Sequence, residues 1–355
     1  MKIFYLQGDY PFCYYYRGYL PGVYSDQTVV SDFLRKDMDV SNEQFTKKAM
    51  AADVICFQRP SSEPSLKLAQ LLRQAGKKII FDNDDSYAGV PLDKLENDRQ
   101  REIAKQLNNN LNDFVKMADG VTVSTEFLAK EYRQYNDNVV VLKNTVDPLD
   151  EYPCEPNTTG KFRVGIIGSV SSNDDYIHIK DQIKRLDARG DIQFVLMGVQ
   201  YQDGEVMPSM QNDFDFWDSL ENMEWHTVVP VTDYMANVAS FALDLVIAPR
   251  KEHYFNQCKS NLKALEMSLL GIPFIAQGFS DGTSPYQGDI EPYITVVNDN
   301  NDWYNEVIKC KDSHEEYKKL AAKAHDFVLK EYNITNYAQV WQQKIENLCK
   351  YQKNI

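Results

Sequence analysis

Short apolar segments alternate with helical ones in two successive runs, and this alternation narrows the folds open to the chain. In the first run, KIFYLQG, ADVICFQRP, KKIIFDNDD, ADGVTVST and NVVVLKN are rich in Val, Ile and Phe and bounded by turn residues, the pattern of buried strands. Between them, SLKLAQLLRQAG and REIAKQLNNNLNDFVKMA read as helices. PLDEYPCEPNTTG (148–160) has three prolines and no apolar period, which marks a linker. The pattern then restarts with FRVGIIGSV, IQFVLMG, HTVVPV, LDLVIAPR, GIPFIAQ and YITVVND, and the last 40 residues read as helical. Two such sets predict an α/β protein of two doubly wound, mostly parallel sheets. Residues 1–147 form the first domain, 148–160 the linker, 161–330 the second domain and 331–355 a C-terminal helix.

Composition agrees. The 355 residues are 43% hydrophobic and 25% charged, an ordinary globular balance whose length favours two domains. No apolar run approaches the roughly 18 residues of a membrane span, and MKIFYLQGDYPF reads as a first strand with no long apolar leader core. Six scattered cysteines without CxxC spacing suit free thiols in a reducing cytoplasm, or in a host cytoplasm if the chain is phage-encoded. The net charge of −14 disfavours nucleic acid at long range.

In sheets of this kind, ligands bind outside the carboxyl ends of strands, beside helix N-termini. FRVGIIGS ends in Gly168-Ser169 and LDLVIAPR in Pro249-Arg250. FNQCKSNLKALEMSLLGIPFIA follows. Leu262, Leu265 and Leu269 recur at helical spacing, Gly271 closes the helix and Pro273 lies beyond it. Lys259, Lys263 and Glu266 share the opposite face, and Ser260 is the expected N-cap. Two cations at the positive end of a helix dipole are locally unfavourable, and a bound diphosphate resolves that conflict. Glu266 is then placed for sugar hydroxyls. The competing reading is a solvated Lys-Lys-Glu face holding an internal ion pair.

KSNLKALEMSLLGIPFIA resembles the donor helix of GT-B glycosyltransferases, especially glycosyltransferase family four and its phage and bacterial members. ADGVTVSTEFLAKEYRQYNDNVVVLKNTVD, FRVGIIGSVSSNDD, VVPVTDYMANVASFALDLVIAP and the closing helices resemble further segments of that family in the same order, over roughly half the chain. The resemblance implies two Rossmann-like domains facing across a cleft, with the C-terminal helices crossing back to the first. It implies a glycosyltransferase, a hexosyl- or pentosyltransferase, that uses a nucleotide-diphosphate sugar, a UDP-sugar by preference, and needs no metal or other cofactor. Glu266 matches the second Glu of the family's Glu-x7-Glu motif and would bind the donor ribose. Lys259 would contact the diphosphate, Gly168 and Ser169 would lie near the phosphates, and Pro230, between Val229 and Val231, would border the nucleobase. The first Glu of the motif falls at Cys258, so sugar contacts pass to Asn256, Gln257 or backbone amides, and retention is left open.

The first domain is expected to supply the acceptor site. GDYPFCYYYRGYLPG holds five tyrosines, Tyr15 among them, with Arg17. Arg59 follows the second strand, and Asp82, Asp84 and Asp85 the third. Asp82 and Asp85 are candidates to orient or deprotonate an acceptor hydroxyl, and Asp84 to bind it. Lys259, Lys263 and Arg250 are the candidates to stabilise the leaving diphosphate. No metal site is expected, and the five histidines show no ligand spacing. The acceptor is expected to be a glycan or small molecule, with a modified DNA base disfavoured by charge. Two other functions stand beside this one: a sugar-nucleotide epimerase of the same fold and a non-catalytic nucleotide-sugar-binding partner.

Overall fold

The computed structural model describes residues 1–7, 11–25, 28–30, 43–86, 98–168, 173–199, 201–202, 205–206 and 211–350. The chain forms two compact units: Met1–Asp147 with Cys258–Ser260 and Asn333–Ile355, and Pro148–Gln257 with Asn261–Tyr332.

The strands of the first unit are β1 (Ile3–Leu6), β2 (Thr28–Val30), β3 (Val54–Gln58), β4 (Lys78–Asn83), β5 (Gly120–Val123) and β6 (Val139–Val141). They form one parallel sheet in the order β2-β1-β3-β4-β5-β6. Its helices are α1 (Pro11–Tyr14), α2 (Leu20–Val23), α3 (Glu43–Ala51), α4 (Glu63–Gln74), α5 (Asp98–Met117) and α6 (Glu126–Tyr132). A π-turn, Tyr15–Tyr19, joins α1 to α2. Ser62 and Thr125 cap α4 and α6 through their hydroxyls, as short side chains at N-caps do.

In the second unit, β7 (Phe162–Ile167), β8 (Ile192–Val199), β11 (Met223–Thr227), β12 (Leu245–Ala248), β13 (Phe274–Gln277) and β14 (Thr295–Val297) make another parallel sheet, ordered β11-β8-β7-β12-β13-β14. A small antiparallel hairpin, β9 (Tyr201–Gln202) and β10 (Glu205–Val206), interrupts the sequence. The helices are α7 (Asn173–Ile177), α8 (Lys180–Asp187), α9 (Gln211–Asp218), α10 (Val231–Ser240), α11 (Tyr254–Cys258), α12 (Leu262–Leu269), α13 (Trp303–Asp312) and α14 (His314–Glu331). The last helix, α15 (Ile334–Lys350), belongs to the first unit.

Alternation along the strands explains the cores. In the first sheet, Phe4, Ile55, Phe57, Ile79 and Phe81 pack with Leu111, Phe114 and Val115 of α5. Residues of opposite parity, Ile3, Tyr5, Val54, Cys56 and Ile80, pack with Tyr14 of α1 and with Trp341 and Ile345 of α15. A sheet covered on both faces is why these strands read as continuous apolar runs. In the second unit, Trp217 and Trp303 are fully buried against Ile166, Phe194 and Ile247.

Three sequence expectations change. The first sheet gains the strand β2, a three-residue segment too short to carry a periodic signal. The strand expected over HTVVPV lies earlier, at MEWHT, because Pro230 starts α10 instead of continuing a ladder. The Tyr-rich stretch expected to offer aromatics to an acceptor is helical from Pro11, with Tyr14, Tyr15 and Tyr16 buried. Among the described residues, no helix is long and apolar enough to cross a membrane.

Candidate functional site

The strand order of the second sheet reverses between β7 and β12, so the loops after these two strands flank the crevice where such sheets take ligands. Gly168 follows β7 and donates its N–H to the Met197 carbonyl at 3.1 Å. Gly198 has φ +140°, and a Cβ there would collide with the Gly168 carbonyl oxygen, so the backbone behind this loop is closely packed. Ser169 lies outside the described residues.

Arg250 follows β12. Its Nη1 lies 3.4 Å from Asp175 Oδ2 and 3.3 Å from Asn256 Oδ1, and its Nε lies 3.3 Å from Tyr286 Oη. Burial by itself lowers the guanidinium pKa, but Tyr286 and Asp175 raise it on balance, so Arg250 is a fixed cation. Asn256, expected near the sugar, is instead buried and donates to Asp175 Oδ1 at 2.8 Å and to the Lys251 carbonyl at 2.9 Å. Its amide is taken up in bracing Asp175 and Arg250.

α12 starts at Leu262 with Asn261 as its N-cap, not Ser260. Asn261 has φ −78° and ψ 13°, makes no side-chain capping bond, and donates to Tyr332 Oη at 3.2 Å. Ser260 belongs to the first unit, where its hydroxyl accepts from Asn144 Nδ2 at 3.0 Å. Lys263, in the first turn of α12, lies 3.0 Å from Glu266 Oε2 and 2.6 Å from Tyr234 Oη. Tyr234 donates to Glu266 Oε2 at 3.1 Å. Burial, with Glu266 adding to it, pushes the Tyr234 phenol well above its usual range, so the phenol stays protonated and keeps donating. Tyr234 has no sequence signal of its own. It arrives on α10, whose first residues follow Pro230, an exposed N-cap.

Lys259 precedes α12 instead of sharing its face, because the helix begins three residues later. It lies in the first unit, its Nζ 3.0 and 3.3 Å from the two Asp85 oxygens. Arg59 Nη1 is 3.7 Å from Asp84 Oδ1 and 3.9 Å from Asp85 Oδ2. The expectation that set Lys259 apart from the Asp cluster is therefore corrected, since tertiary packing joins them. Cys258 is fully buried in the core of the same unit, and its carbonyl accepts from the Thr125 hydroxyl at 2.9 Å. A thiol sealed in that core serves as a packing group.

Asp82 and Arg17 were expected at the acceptor. Both are fully buried, with Arg17 Nε 3.1 Å from Oδ1 and Nη2 2.6 Å from Oδ2. Thr122 donates to Asp82 Oδ2 at 2.6 Å, while Arg17 also donates to the Leu142 carbonyl and to Asn144 Oδ1 and stacks on Trp341. Burial pushes the Asp82 carboxyl up, and Arg17 and Thr122 oppose that push. With every nearby donor used internally, the pair holds the sheet together. Tyr15 is likewise buried and stacks on Tyr19, which makes it core. Asp82 turns to Arg17 while Asp84 and Asp85 face Arg59, so the three carboxylates do not converge. Among the described residues, no group of three His, Cys, Asp or Glu is placed to hold a metal ion.

No family model matches the chain, and no curated protein sequence matches it. Solved structures do. HepE of Anabaena, crystallised with UDP and glucose, superposes with a TM-score of 0.66 over 97% of this chain and 99% of its own, at 13% identity. HepE in complex with UDP-glucose gives the same score at 11% identity. A glycosyltransferase from Rickettsia africae matches 99% of both chains with a TM-score of 0.66 at 11% identity. The sucrose-phosphate synthase of Thermosynechococcus elongatus scores 0.60 over 91% of this chain and 81% of its own, at 13% identity. At such identities the likeness shows the fold, two parallel-sheet α/β domains of the GT-B type.

Proposed function

We propose that this chain is a glycosyltransferase that moves a sugar from a nucleotide-diphosphate sugar, a UDP-sugar, to a hydroxyl acceptor. The observation that carries the reading is the near full-length match to HepE, which was solved with UDP-glucose. Arg250, Lys263 and Glu266 support it, lying at or after the strand that flanks the switch point of the second sheet.

In such a transfer, breaking the anomeric C–O bond drives negative charge onto the diphosphate. Preorganised cations and N–H groups stabilise that charge without reorganising. Arg250 is fixed by Asp175, Asn256 and Tyr286, and Lys263 stands in the first turn of α12, whose dipole favours an anion. Lys259, which the sequence assigned to the same task, is held by Asp85 in the first unit, so the proposal rests on Lys263 and Arg250. Glu266 would accept ribose hydroxyls. Tyr234 and Lys263 already hold one of its oxygens in place. Pro230 would border the nucleobase, and Gly168 would let a phosphate approach the backbone. With these cations supplying the charge, turnover is proposed to need no divalent metal.

Calorimetric titration with UDP and UDP-glucose tests this. Glu266→Ala should weaken UDP-glucose by about 1.5–3 kcal/mol, the range for hydrogen bonds to a charged group, and UDP release should persist in EDTA. Failure of the wild-type chain to bind either nucleotide would overturn the reading.

A further inference from the structure

The first sheet has its own reversal of strand order, between β1 and β3, and the crevice outside such a reversal is where open α/β sheets bind ligands. The residue that ends β3 there is Gln58. Its side chain is 1% exposed, and neither its Oε1 nor its Nε2 has a hydrogen-bond partner. A buried carboxamide in that state has lost its water and recovered nothing. Gln58 stands opposite Asp82 in the register with β4.

The residues around it are polar. Arg59, the next residue, has φ +50°, a left-handed conformation that a non-glycine holds only where its surroundings impose it. Asp84, two residues beyond Asp82, also bonds the Cys13 thiol, itself 3.0 Å from Arg59 Nη1, but its buried Oδ1 is left without a close donor; Arg59 reaches it only at 3.7 Å. Side-chain exposure falls from 20% at Asp85 and 16% at Lys259 through 13% at Asp84 to 9% at Arg59, and Gln58 is the most deeply buried of the group.

The geometry points to a subsite for an uncharged, hydroxyl-bearing ligand at the ends of β3 and β4, with Gln58 binding one hydroxyl and Asp84 Oδ1 accepting from another. A carboxamide offers a donor and an acceptor together. A hydroxyl satisfies both, whereas a cation satisfies only its oxygen and an anion only its nitrogen. The neighbouring charges cancel: Arg59 and Lys259 face Asp84 and Asp85, and Arg17 is matched by Asp82. Among the described residues no net charge remains to attract an ion, so the subsite favours a neutral sugar or polyol over a phosphorylated or polyanionic one. Naming that ligand the acceptor rests on the transferase reading above; its binding does not.

The test uses the full chain without nucleotide. Saturation-transfer NMR titrations would compare neutral monosaccharides (glucose, galactose, mannose, N-acetylglucosamine) with glucose 6-phosphate and glucosamine. At least one neutral sugar should bind, with its charged analogues weaker by fivefold or more, on the order expected when one buried group is left unmatched. Gln58→Met should weaken that sugar by about tenfold while the thermal midpoint holds or rises. Gln58→Glu, which adds a carboxylate, should shift preference toward glucosamine. If no neutral sugar binds, or if both variants bind as wild type does, the carboxamide holds only buried water and the proposal falls. A UDP titration of the same samples reports separately on the transferase reading. Sugar binding without UDP binding would sink that reading and keep the subsite, and the reverse would do the opposite.

Discussion

Arg17–Asp82 in the first unit and Lys263–Glu266 in the second are built alike. In each, a carboxylate receives a cation and a hydroxyl, Thr122 in one and Tyr234 in the other. They differ in what surrounds them. Arg17 and Asp82 are both fully enclosed, whereas in the second pair Glu266 is buried but the Lys263 side chain keeps 21% of its surface exposed. A fully enclosed pair cannot exchange partners with a ligand, and its worth lies in the cost of leaving either charge alone. In a pair open on its lysine side, water or a ligand can reach the cation, so Lys263 could turn to the diphosphate proposed above while Tyr234 keeps its bond to Glu266. The same residue chemistry is structural in one unit and available in the other.

The sharpest way to break this comparison is Asp82→Ala. It strands a buried guanidinium and should cost about 3–5 kcal/mol, read as a lowered urea midpoint. A change under 1 kcal/mol would show that water reaches the pair. Lys263→Ala should slow the proposed transfer by roughly 10²-fold, as removal of one preorganised donor does, while costing less stability than Asp82→Ala, because the open lysine side lets water reach the Glu266 carboxylate. Equal losses of stability from the two substitutions would erase the distinction.

Smaller effects sharpen it. Tyr234→Phe removes a donor to Glu266 and should weaken UDP-glucose by about 1 kcal/mol, measured calorimetrically. The smallest effect concerns Arg163–Glu224 of the second unit, another half-open pair, at 2.8 Å. The Arg163 hydrogen bond holds the Glu224 carboxyl below its ordinary range. With the folded pKa lowered, its stabilisation is complete above the unfolded value and fades as pH falls through the folded one. Wild type should therefore exceed Glu224→Gln in urea midpoint at pH 7, and the gap should close on acidification. A gap that widens in acid would reverse the assigned sign.

Much of the fold was legible because strand signals are local. VICFQ, KIIFDN and FRVGII each show their burial in their own composition, and β2 was missed because three residues carry no period. The site was legible only in part. Lys263, Glu266 and Arg250 stand out by position after strands, yet nothing local separates Arg250 from Arg17, or Asp85 from Asp82. Gln58 was invisible, since an unpartnered carboxamide looks in sequence like any glutamine ending a strand.

The sequence by itself determined the two α/β sets and the break between them, because apolar period, turn residues and proline act over a few neighbours. It also placed charged residues at strand ends and at the start of α12. Only the tertiary structure decided which of those charges are consumed internally. Asp82 meets an arginine 65 residues away, and Asp85 meets a lysine 174 residues away. Such pairings depend on sheet order and on what each strand end is buried beneath. Burial sets the worth of a charge by changing the water around it, and water exclusion comes from chain segments that no local pattern brings together.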